Sequence, residues 1–465
     1  MSFPRFSKDP RTEQSLRHSV RDGVAYSVMV GAGEHYISAY ALFLKASAAQ
    51  ISWLVAFPSL VGSLAQLFSA WLASRIGRRK GIILFGVALQ TLMWLPMIWL
   101  PFFFPAHAVS ILIVCVAFYF AGNHLSTPVW NSLMGDLVPA RKRGRFFARR
   151  TRIMSMMNFL AIVSAGLLLH AFESEEKVQL GFMLVFTLAA LARLYSAMQL
   201  ARMHDPEHVP APIDWPTLPG LWQRMRGSDS IRFTFFFGAM QFAAAIAAPF
   251  FVVYMLRDLG FSYLQYMSAT ALAVLAQFGS LRMWGRLGDI FGNRVILTVT
   301  GAVIPIFPVL WLVSPHFAYV VALQMLGGLF WAGFSLSASN YLYDSVSPER
   351  RAAYSAAHNV FASIAIFAGA LFGGFLSLVI PESFMLFGET WHWSSSLWGV
   401  LVVSSLARGI VALLLAPVLR EVRDVRRMTA AGLMLRVARF NALTELVIDT
   451  LAFTRRRLRT TGSSR

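Results

Sequence analysis

Two apolar runs of the chain meet at a short basic stretch, Ser69-Ala-Trp-Leu-Ala-Ser-Arg-Ile-Gly-Arg-Arg-Lys-Gly-Ile-Ile-Leu84. Its cationic residues are Arg75, Arg78, Arg79 and Lys80. Such side chains are costly to place in lipid, and Gly77 permits the positive φ of a tight turn. The stretch therefore predicts an aqueous turn between two membrane-spanning helices. The pattern returns as Trp284-Gly-Arg-Leu-Gly-Asp-Ile-Phe-Gly-Asn-Arg-Val-Ile-Leu297, in which Gly292 follows Gly77 by 215 residues. A repeat of almost half of the chain predicts two related halves.

This turn resembles the turn between helices 2 and 3 of major facilitator superfamily transporters, which reads roughly G-x-L-A-D-R-x-G-R-K. The first copy keeps Leu72, Ala73, Arg75, Gly77, Arg78 and Arg79, and departs at Ala70 and Ser74. The second copy keeps Gly285, Leu287, Gly288, Asp289 and Gly292, followed by Asn293 and Arg294. The resemblance implies an all-α membrane protein with twelve transmembrane helices in two pseudo-symmetric six-helix bundles.

The composition independently predicts a polytopic membrane protein. Hydrophobic residues make up 57% of the chain and charged residues 14%, against about 25% charged residues in ordinary soluble domains. The mean hydropathy is +0.59. Residues 1–21 are polar and basic, without the short apolar core of a secretory signal. The single cysteine, Cys115, excludes an intrachain disulfide and a multi-thiol metal site, and we expect neither a metal nor a cofactor.

Apolar runs predict twelve spans, which we number in chain order. They lie near residues 22–44, 51–73, 81–104, 108–137, 153–172, 179–202, 232–256, 263–283, 295–313, 317–346, 354–379 and 394–417. The predicted organisation is an N-terminal tail (1–21), a six-helix bundle (22–203), a Pro-rich linker (204–230), a second bundle (231–417) and a basic tail (418–465). In that tail, apolar residues approximate helical spacing at Leu433, Val437, Phe440, Val447 and Leu451. Either an amphipathic helix on the membrane surface or a loosely ordered basic tail fits this pattern.

The distribution of basic residues predicts the orientation. Of 41 Lys and Arg residues, only Lys45, Lys177 and Arg257 fall in one set of loops, and only Arg193 and Arg408 fall inside spans. The others lie in the tails and the alternate loops, which places both termini in the cytoplasm. The net charge of +19 is then mostly a positive-inside signature rather than a sign of nucleic-acid binding.

One acidic residue, Glu34, is predicted near the middle of a span, and His35 follows it. A carboxyl group at membrane depth is a functional hypothesis by default, because it can load and release a proton during a transport cycle. We therefore consider Glu34 and His35 as proton-coupling candidates. The structural alternative is a carboxyl group that only bonds a neighbouring helix.

The resemblance implies that spans 1, 4, 7 and 10 line a central cavity. The polar candidates there are Asn123, His124, Gln241, Trp331, Ser335, Ser339 and Asn340. His124 is expected to bind substrate, to pair with Glu34, or only to pack. Serines in membrane helices are often small packing residues, so that alternative also stays open.

The two basic turns are predicted to form a cytoplasmic gate. Its residues are Ser74, Arg75, Gly77, Arg78, Gly285, Asp289, Gly292 and Arg294. In the resembling family, the acidic position helps to hold the halves together on the cytoplasmic side. Only the second turn has that acid, Asp289, so we expect a lopsided latch. Arg193 and Arg408 are expected to be structural and to extend toward the cytoplasmic boundary.

These observations predict a secondary transporter that moves a small solute across the bacterial inner membrane by alternating access and is coupled to protons. The expected partners are the solute and membrane lipids, with a monomeric protein and no nucleic acid. Two alternatives are a non-transporting membrane assembly factor of this fold and a lipid or lysolipid flippase. No phosphate-binding loop or zinc motif is present, so we do not expect an enzyme.

Overall fold

The protein is described here from a computed structural model. It describes residues 5–76, 79–139, 142–174, 177–206, 228–346, 351–381, 383–386, 389–392, 395–423, 425 and 432. Gly77 and Arg78, most of the linker 204–230 and most of the tail 418–465 lie outside these residues. The predicted amphipathic helix of the tail therefore also lies outside them.

The N-terminal half contains spans 1 to 6. Span 1 consists of helix Pro10–Ala32, a short 3-10 turn at Glu34–Tyr36 and helix Ile37–Phe43. Spans 2 to 6 are the helices Ala48–Ile76, Arg79–Phe103, Ala108–Leu137, Arg143–Ser174 and Val178–Ala201.

The C-terminal half contains spans 7 to 12. Span 7 comprises Asp229–Ala247, Phe250–Val253 and a π-helical turn at Tyr254–Asp258, and span 9 comprises Asn293–Val303 and Ile306–Leu310. Spans 8, 10, 11 and 12 are the helices Tyr263–Phe291, Phe317–Asp344, Arg351–Val379 and Leu397–Leu415. Proline interrupts spans 7 and 9, at Pro249 and Pro305, because it lacks the backbone N–H that continues a helix.

Span 1 begins well before residue 22, where we predicted its start. The Asp9 carboxylate accepts hydrogen bonds from the backbone N–H groups of Arg11 and Thr12, and Pro10 occupies the first helical position. Hydrogen bonds from Thr12 hold the pKa of Asp9 below its usual value. Much of the predicted tail 1–21 is therefore helical.

Ten helical segments of the described chain are long and apolar enough to cross a membrane. The two remaining spans are less apolar, but span 1 packs on its neighbours as span 7 does, and span 8 packs as span 2 does. The twelve-span architecture is therefore confirmed. One feature was not predicted, a two-stranded antiparallel hairpin between spans 11 and 12. Its strands are β1 (Ser383–Leu386) and β2 (Glu389–His392).

Helix packing repeats between the halves. In the first half, span 1 packs on spans 5 and 6, span 4 on spans 2 and 3, and span 3 on span 6. In the second half, span 7 packs on spans 11 and 12, span 10 on spans 8 and 9, and span 9 on span 12. Span 2 contacts span 11 across the interface, and span 5 contacts span 8. Exchanging the two halves therefore maps span 2 onto span 8 and span 5 onto span 11, so one interface contact becomes the other. This is the parallel two-fold repeat that the sequence predicted.

The two ends of the bundle differ. We call the end at which spans 2, 4, 8 and 10 finish the basic end, and the opposite end the far end. At the far end one apolar cluster includes residues of both halves. There the rings of Phe182 and Tyr263 lie 5.4 Å apart, and a Cβ added at Gly374 would lie 2.9 Å from the Cβ of Ser52. The halves are therefore in close contact at the far end.

At the basic end the apolar clusters each belong to a single half. The ion pairs found there also stay within one half in the described part of the chain: Arg79 pairs with Asp136, and Arg423 pairs with Asp344. Among the described residues, an apolar cluster thus joins the halves at the far end, whereas none of the apolar clusters or ion pairs at the basic end joins them. Both ends of the described chain lie at the basic end, where Lys142 donates to the Phe6 carbonyl and Glu421 accepts from the Arg294 N–H.

Candidate functional site

Glu34 lies at the break in span 1. Gly33 precedes it in a crowded position, since a Cβ there would lie 2.5 Å from the Trp94 ring and 2.7 Å from the Ala189 Cβ. The absence of a side chain lets span 1 approach spans 3 and 6 closely. The half-buried Glu34 carboxylate accepts a hydrogen bond of 2.8 Å from the hydroxyl of Tyr119 on span 4. His35 is also half-buried.

Arg193 of span 6 is buried and lies inside the N-terminal half. Its guanidinium donates to Gln90 at 2.5 Å and to Ser196 at 2.8 Å, and it lies 5.0 Å from the centre of the Tyr26 ring. The expectation that Arg193 extends to the membrane boundary is therefore wrong. Gln90 on span 3 and Ser196 on the same helix accept hydrogen bonds from the guanidinium, which lowers the cost of burying its charge.

Arg408 is also buried rather than extended to the boundary. It donates to the backbone carbonyl of Ala244 at 3.2 Å. Arg193 and Arg408, at an offset of 215 residues, thus share a buried position in the two halves but have different partners.

Asp22 is a buried acid that the sequence analysis missed. The Ser196 hydroxyl donates to its carboxylate at 2.6 Å, and a guanidinium nitrogen of Arg150 lies 3.4 Å from its other oxygen. Arg150 also lies 4.5 Å from the centre of the Trp130 ring. The signal that could have revealed Asp22 is the helix start at Asp9-Pro10, which puts Asp22 in the interior of a helix instead of at its start.

These groups border a cavity of about 210 Å³ within the N-terminal half. It is lined by Asp22, Tyr26, Ile83, Val87, Asn123, Ser126, Thr127, Trp130, Asn131, Arg150, Met154, Arg193 and Leu200. Asn123, Thr127 and Asn131 are spaced four residues apart on span 4 and therefore form one polar face. Asn123 is half-buried and Asn131 is exposed, so this face leads from the interior toward the basic end.

His124 does not pair with Glu34, because that carboxylate bonds Tyr119 instead. The imidazole packs against Gly62 of span 2, where a Cβ would lie only 2.6 Å from the His124 Cδ2. A glycine at this position makes room for the ring. Asn123 is the predicted residue that does line the cavity, and its side-chain oxygen accepts from the Tyr26 hydroxyl at 3.4 Å.

The candidates from the C-terminal half do not line this cavity. Gln241 and Asn340 are half-buried. The Trp331 ring is half-buried and packs edge-on against Phe334. Ser335 and Ser339 are exposed, and the Ser339 hydroxyl donates back to the Ser335 carbonyl at 3.0 Å. The polar and charged groups that line this cavity thus all belong to the N-terminal half. A central cavity lined by spans 1, 4, 7 and 10 of both halves stays a prediction.

At the first basic turn, Arg75 is exposed and lies 5.6 Å from the centre of the Trp71 ring. Ser74 belongs to the helix of span 2, and Gly77 and Arg78 lie outside the described residues. The buried cation of this turn is Arg79, which pairs with Asp136 at 2.5 Å and with Asp205 at 3.2 Å.

The second basic turn is described completely, with Gly285, Asp289, Gly292 and Arg294 all placed. Gly292 has a φ of 89°, a conformation that favours glycine. The Arg294 N–H donates to Glu421 at 2.8 Å, so this carboxylate caps the helix of span 9. Asp289 lies 3.7 Å from Arg423 of its own half and is highly exposed.

The chain is similar to one protein family over most of its length. A family model described as Major Facilitator Superfamily matches residues 24–251 and matches again over residues 233–454. The comparison with curated protein sequences gives no match.

Several solved structures resemble this fold. A variant of the nucleoside transporter NupG has a TM-score of 0.66 at 15% identity, with 88% of this chain and 100% of that chain covered. A bacterial homologue of the human lysosomal transporter Spinster, inward-facing and occupied, has a TM-score of 0.65 at 14% identity, covering 89% and 98%. A D-xylose-proton symporter has a TM-score of 0.65 at 12% identity, covering 90% and 99%. At these identities the likeness concerns the fold.

Proposed function

Because the chain belongs to the major facilitator superfamily, and is thus a secondary active transporter of a small solute and not an enzyme, we propose that protons drive it through Glu34. The observation that carries this proposal is the hydrogen bond from Tyr119 to Glu34 at the break in span 1. Arg193 is the cation that acts electrostatically on the same carboxylate. The charged carboxylate is attracted by both groups, whereas the protonated form loses the attraction to Arg193.

A change in the protonation of Glu34 can affect the packing at the far end, because span 1 connects the two. Two residues after Glu34, the hydroxyl of Tyr36 donates to the Ile162 carbonyl at 2.6 Å, and that of Tyr40 donates to the Met97 carbonyl at 2.9 Å. Both tyrosines belong to the apolar cluster that joins the halves. We propose that a change of charge at Glu34 alters the position of this segment and so the equilibrium between the two access states.

In the alternating-access cycle, the bundle of spans 1 to 6 and the bundle of spans 7 to 12 are proposed to rock against each other around the site. When the basic end closes, the proposed gate residues Ser74 and Arg75 of the first turn approach Asp289 and Arg294 of the second. The Arg423 contact of Asp289 is long and exposed, so it offers little resistance to a change of partner.

We further propose a monomer in the bacterial inner membrane, with both termini in the cytoplasm and without a nucleic-acid partner. The support is the concentration of Lys and Arg in the tails and alternate loops. On this orientation the described conformation faces inward. The charged lining of the cavity favours a polar solute over a lipid.

The orientation is testable with single cysteines in a Cys115→Ser background. Gly144→Cys at the basic end and Ala106→Cys at the far end are both exposed positions. With inside-out vesicles, a membrane-impermeant thiol reagent is expected to label Gly144→Cys, and with intact cells or right-side-out vesicles Ala106→Cys. Labelling of both positions from the same side would contradict the topology, and the reverse pattern would contradict the cytoplasmic termini.

Proton coupling is testable with purified protein in liposomes that enclose a pH-sensitive dye. Candidate solutes are sugars, nucleosides, carboxylic acids and phosphorylated metabolites, each added outside. The transported solute is expected to change the internal pH, and an imposed pH gradient is expected to drive its accumulation. An uncoupler should abolish that accumulation. Solute uptake without proton movement, and without any response to the pH gradient, would contradict the proposal.

A further inference from the structure

The cavity beside Arg193 contains hydrogen-bond donors that have no partner. The Nε–H of Arg193 and the indole Nε1–H of Trp130 are both buried and unpaired within the described chain. The amide nitrogen of Gln90, which bonds Arg193 but does not line the cavity, also has no partner among the described residues. Arg193 is 3% exposed, so water reaches it poorly. Buried polar groups usually have partners, and the two unpaired donors in the lining of this cavity, those of Arg193 and Trp130, call for a ligand rich in hydrogen-bond acceptors.

The charge of the lining indicates the sign of that ligand. Two guanidinium groups, Arg150 and Arg193, face the cavity, and Asp22 is the acid that lines it. One positive charge is therefore left without a counter-ion in the lining itself. A buried cation without a counter-ion is costly, and an anionic ligand would offset that cost. Glu34 does not line the cavity but interacts electrostatically with Arg193. When Glu34 is protonated, this interaction is lost and the excess positive charge of the lining is not offset by Glu34.

The size of the cavity limits what it can hold. Its volume of about 210 Å³ is below the roughly 300–1,000 Å³ of pockets that take drug-sized ligands. A carboxylate or phosphate group fits, and both accept hydrogen bonds from guanidinium groups in a paired geometry. The rest of the solute would then extend along Asn123, Thr127 and Asn131 toward the basic end.

We infer that this cavity is the substrate-anchoring subsite, in which Arg150, Arg193 and Trp130 bind the carboxylate or phosphate group of a small anionic solute. The inference rests on the proposed transport function and names the substrate class for it. Asp22 is the resident counter-ion, which keeps the two arginines in place when the site is empty. Arg408 is the matched comparison, because it is equally buried and its Nε–H is also unpaired among the described residues, but it does not line this cavity.

The test measures thermal stabilisation of the purified full-length protein by matched pairs of probes. Lactate is compared with lactamide for the carboxylate arm, and glycerol 3-phosphate with glycerol for the phosphate arm, with inorganic phosphate as an additional probe. At least one anion is expected to stabilise the protein while its neutral counterpart does not. Whichever anion stabilises the protein, the carboxylate or the phosphate, identifies the anionic group of the solute. Stabilisation by neutral probes only, or by none, would overturn the inference.

Variants locate the binding. Trp130→Phe keeps the ring under Arg150 but removes the donor, and is expected to raise the Kd of the anionic probe about tenfold, the usual effect of losing a hydrogen bond to a charged group. Arg193→Gln should abolish binding, and Arg408→Gln is the matched control that should retain it. An unchanged Kd in Trp130→Phe, or an equal loss in Arg408→Gln, would overturn the assignment even if Arg193→Gln fails to fold. Glu34→Gln should still bind the anion, so a failure of proton coupling at Glu34 is distinguishable from a failure of this site.

Discussion

Replacing Glu34 with glutamine is expected to reduce pH-gradient-driven accumulation of the solute to the level of protein-free liposomes. Glutamine has nearly the same volume and can still accept a hydrogen bond from Tyr119, but it cannot take up or release a proton. Solute binding and counterflow exchange, which need no net proton movement, should persist. The measurement is uptake in proteoliposomes, with and without an imposed pH gradient, beside counterflow at equal pH.

Matched variants separate coupling from structure. Glu13→Gln changes another buried acid of span 1, whose carboxylate accepts from the backbone N–H groups of Phe6 and Ser7, and should leave coupling intact. His35→Ala should have a small effect, because neighbouring residues of a 3-10 turn point about 120° apart. Gradient-driven accumulation at near wild-type rates in Glu34→Gln would show that this carboxylate is structural.

The fold could be predicted from the sequence because its signals are local or repeated. Apolar length marks each span, and the two basic turns mark the halves. The start of span 1 was predicted too late because the prediction followed hydropathy, whereas the helix begins at a polar cap, Asp9-Pro10. The hairpin between spans 11 and 12 was missed because its two strands are only four residues each.

The candidate site could be predicted only in part. Glu34 stands out because it is an acid within an apolar run, and Asn123 because it is polar on a span that the family uses for its cavity. The partners Tyr119 and Gln90 could not be predicted, since they lie 85 and 103 residues from Glu34 and Arg193 and meet them only through helix packing. Whether an arginine in a span extends to the boundary or is buried depends on such partners.

Replacing Gly374 with leucine is expected to open the far end and abolish most transport. A Cβ at this position would lie 2.9 Å from both the Cβ and the Oγ of Ser52 on span 2, closer than real Cβ contacts allow. Spans 2 and 11 must therefore separate where they hold the halves together. Overpacking costs about 1–3 kcal/mol, which shifts a two-state equilibrium roughly 5- to 150-fold.

Spin labels at Ala106→Cys and His316→Cys, on exposed far-end positions of the two halves, measure this opening in a Cys115→Ser background. Their distance distribution should shift to longer values in Gly374→Leu. Gly409→Leu on span 12 is the matched control, because no atom lies within 4 Å of its added Cβ, and it should keep the short distance and the transport activity. A short distance retained in Gly374→Leu would mean that the Ser52 contact yields locally. The far-end closure would then depend on the aromatic cluster around Phe182 and Tyr263 rather than on the contact of spans 2 and 11.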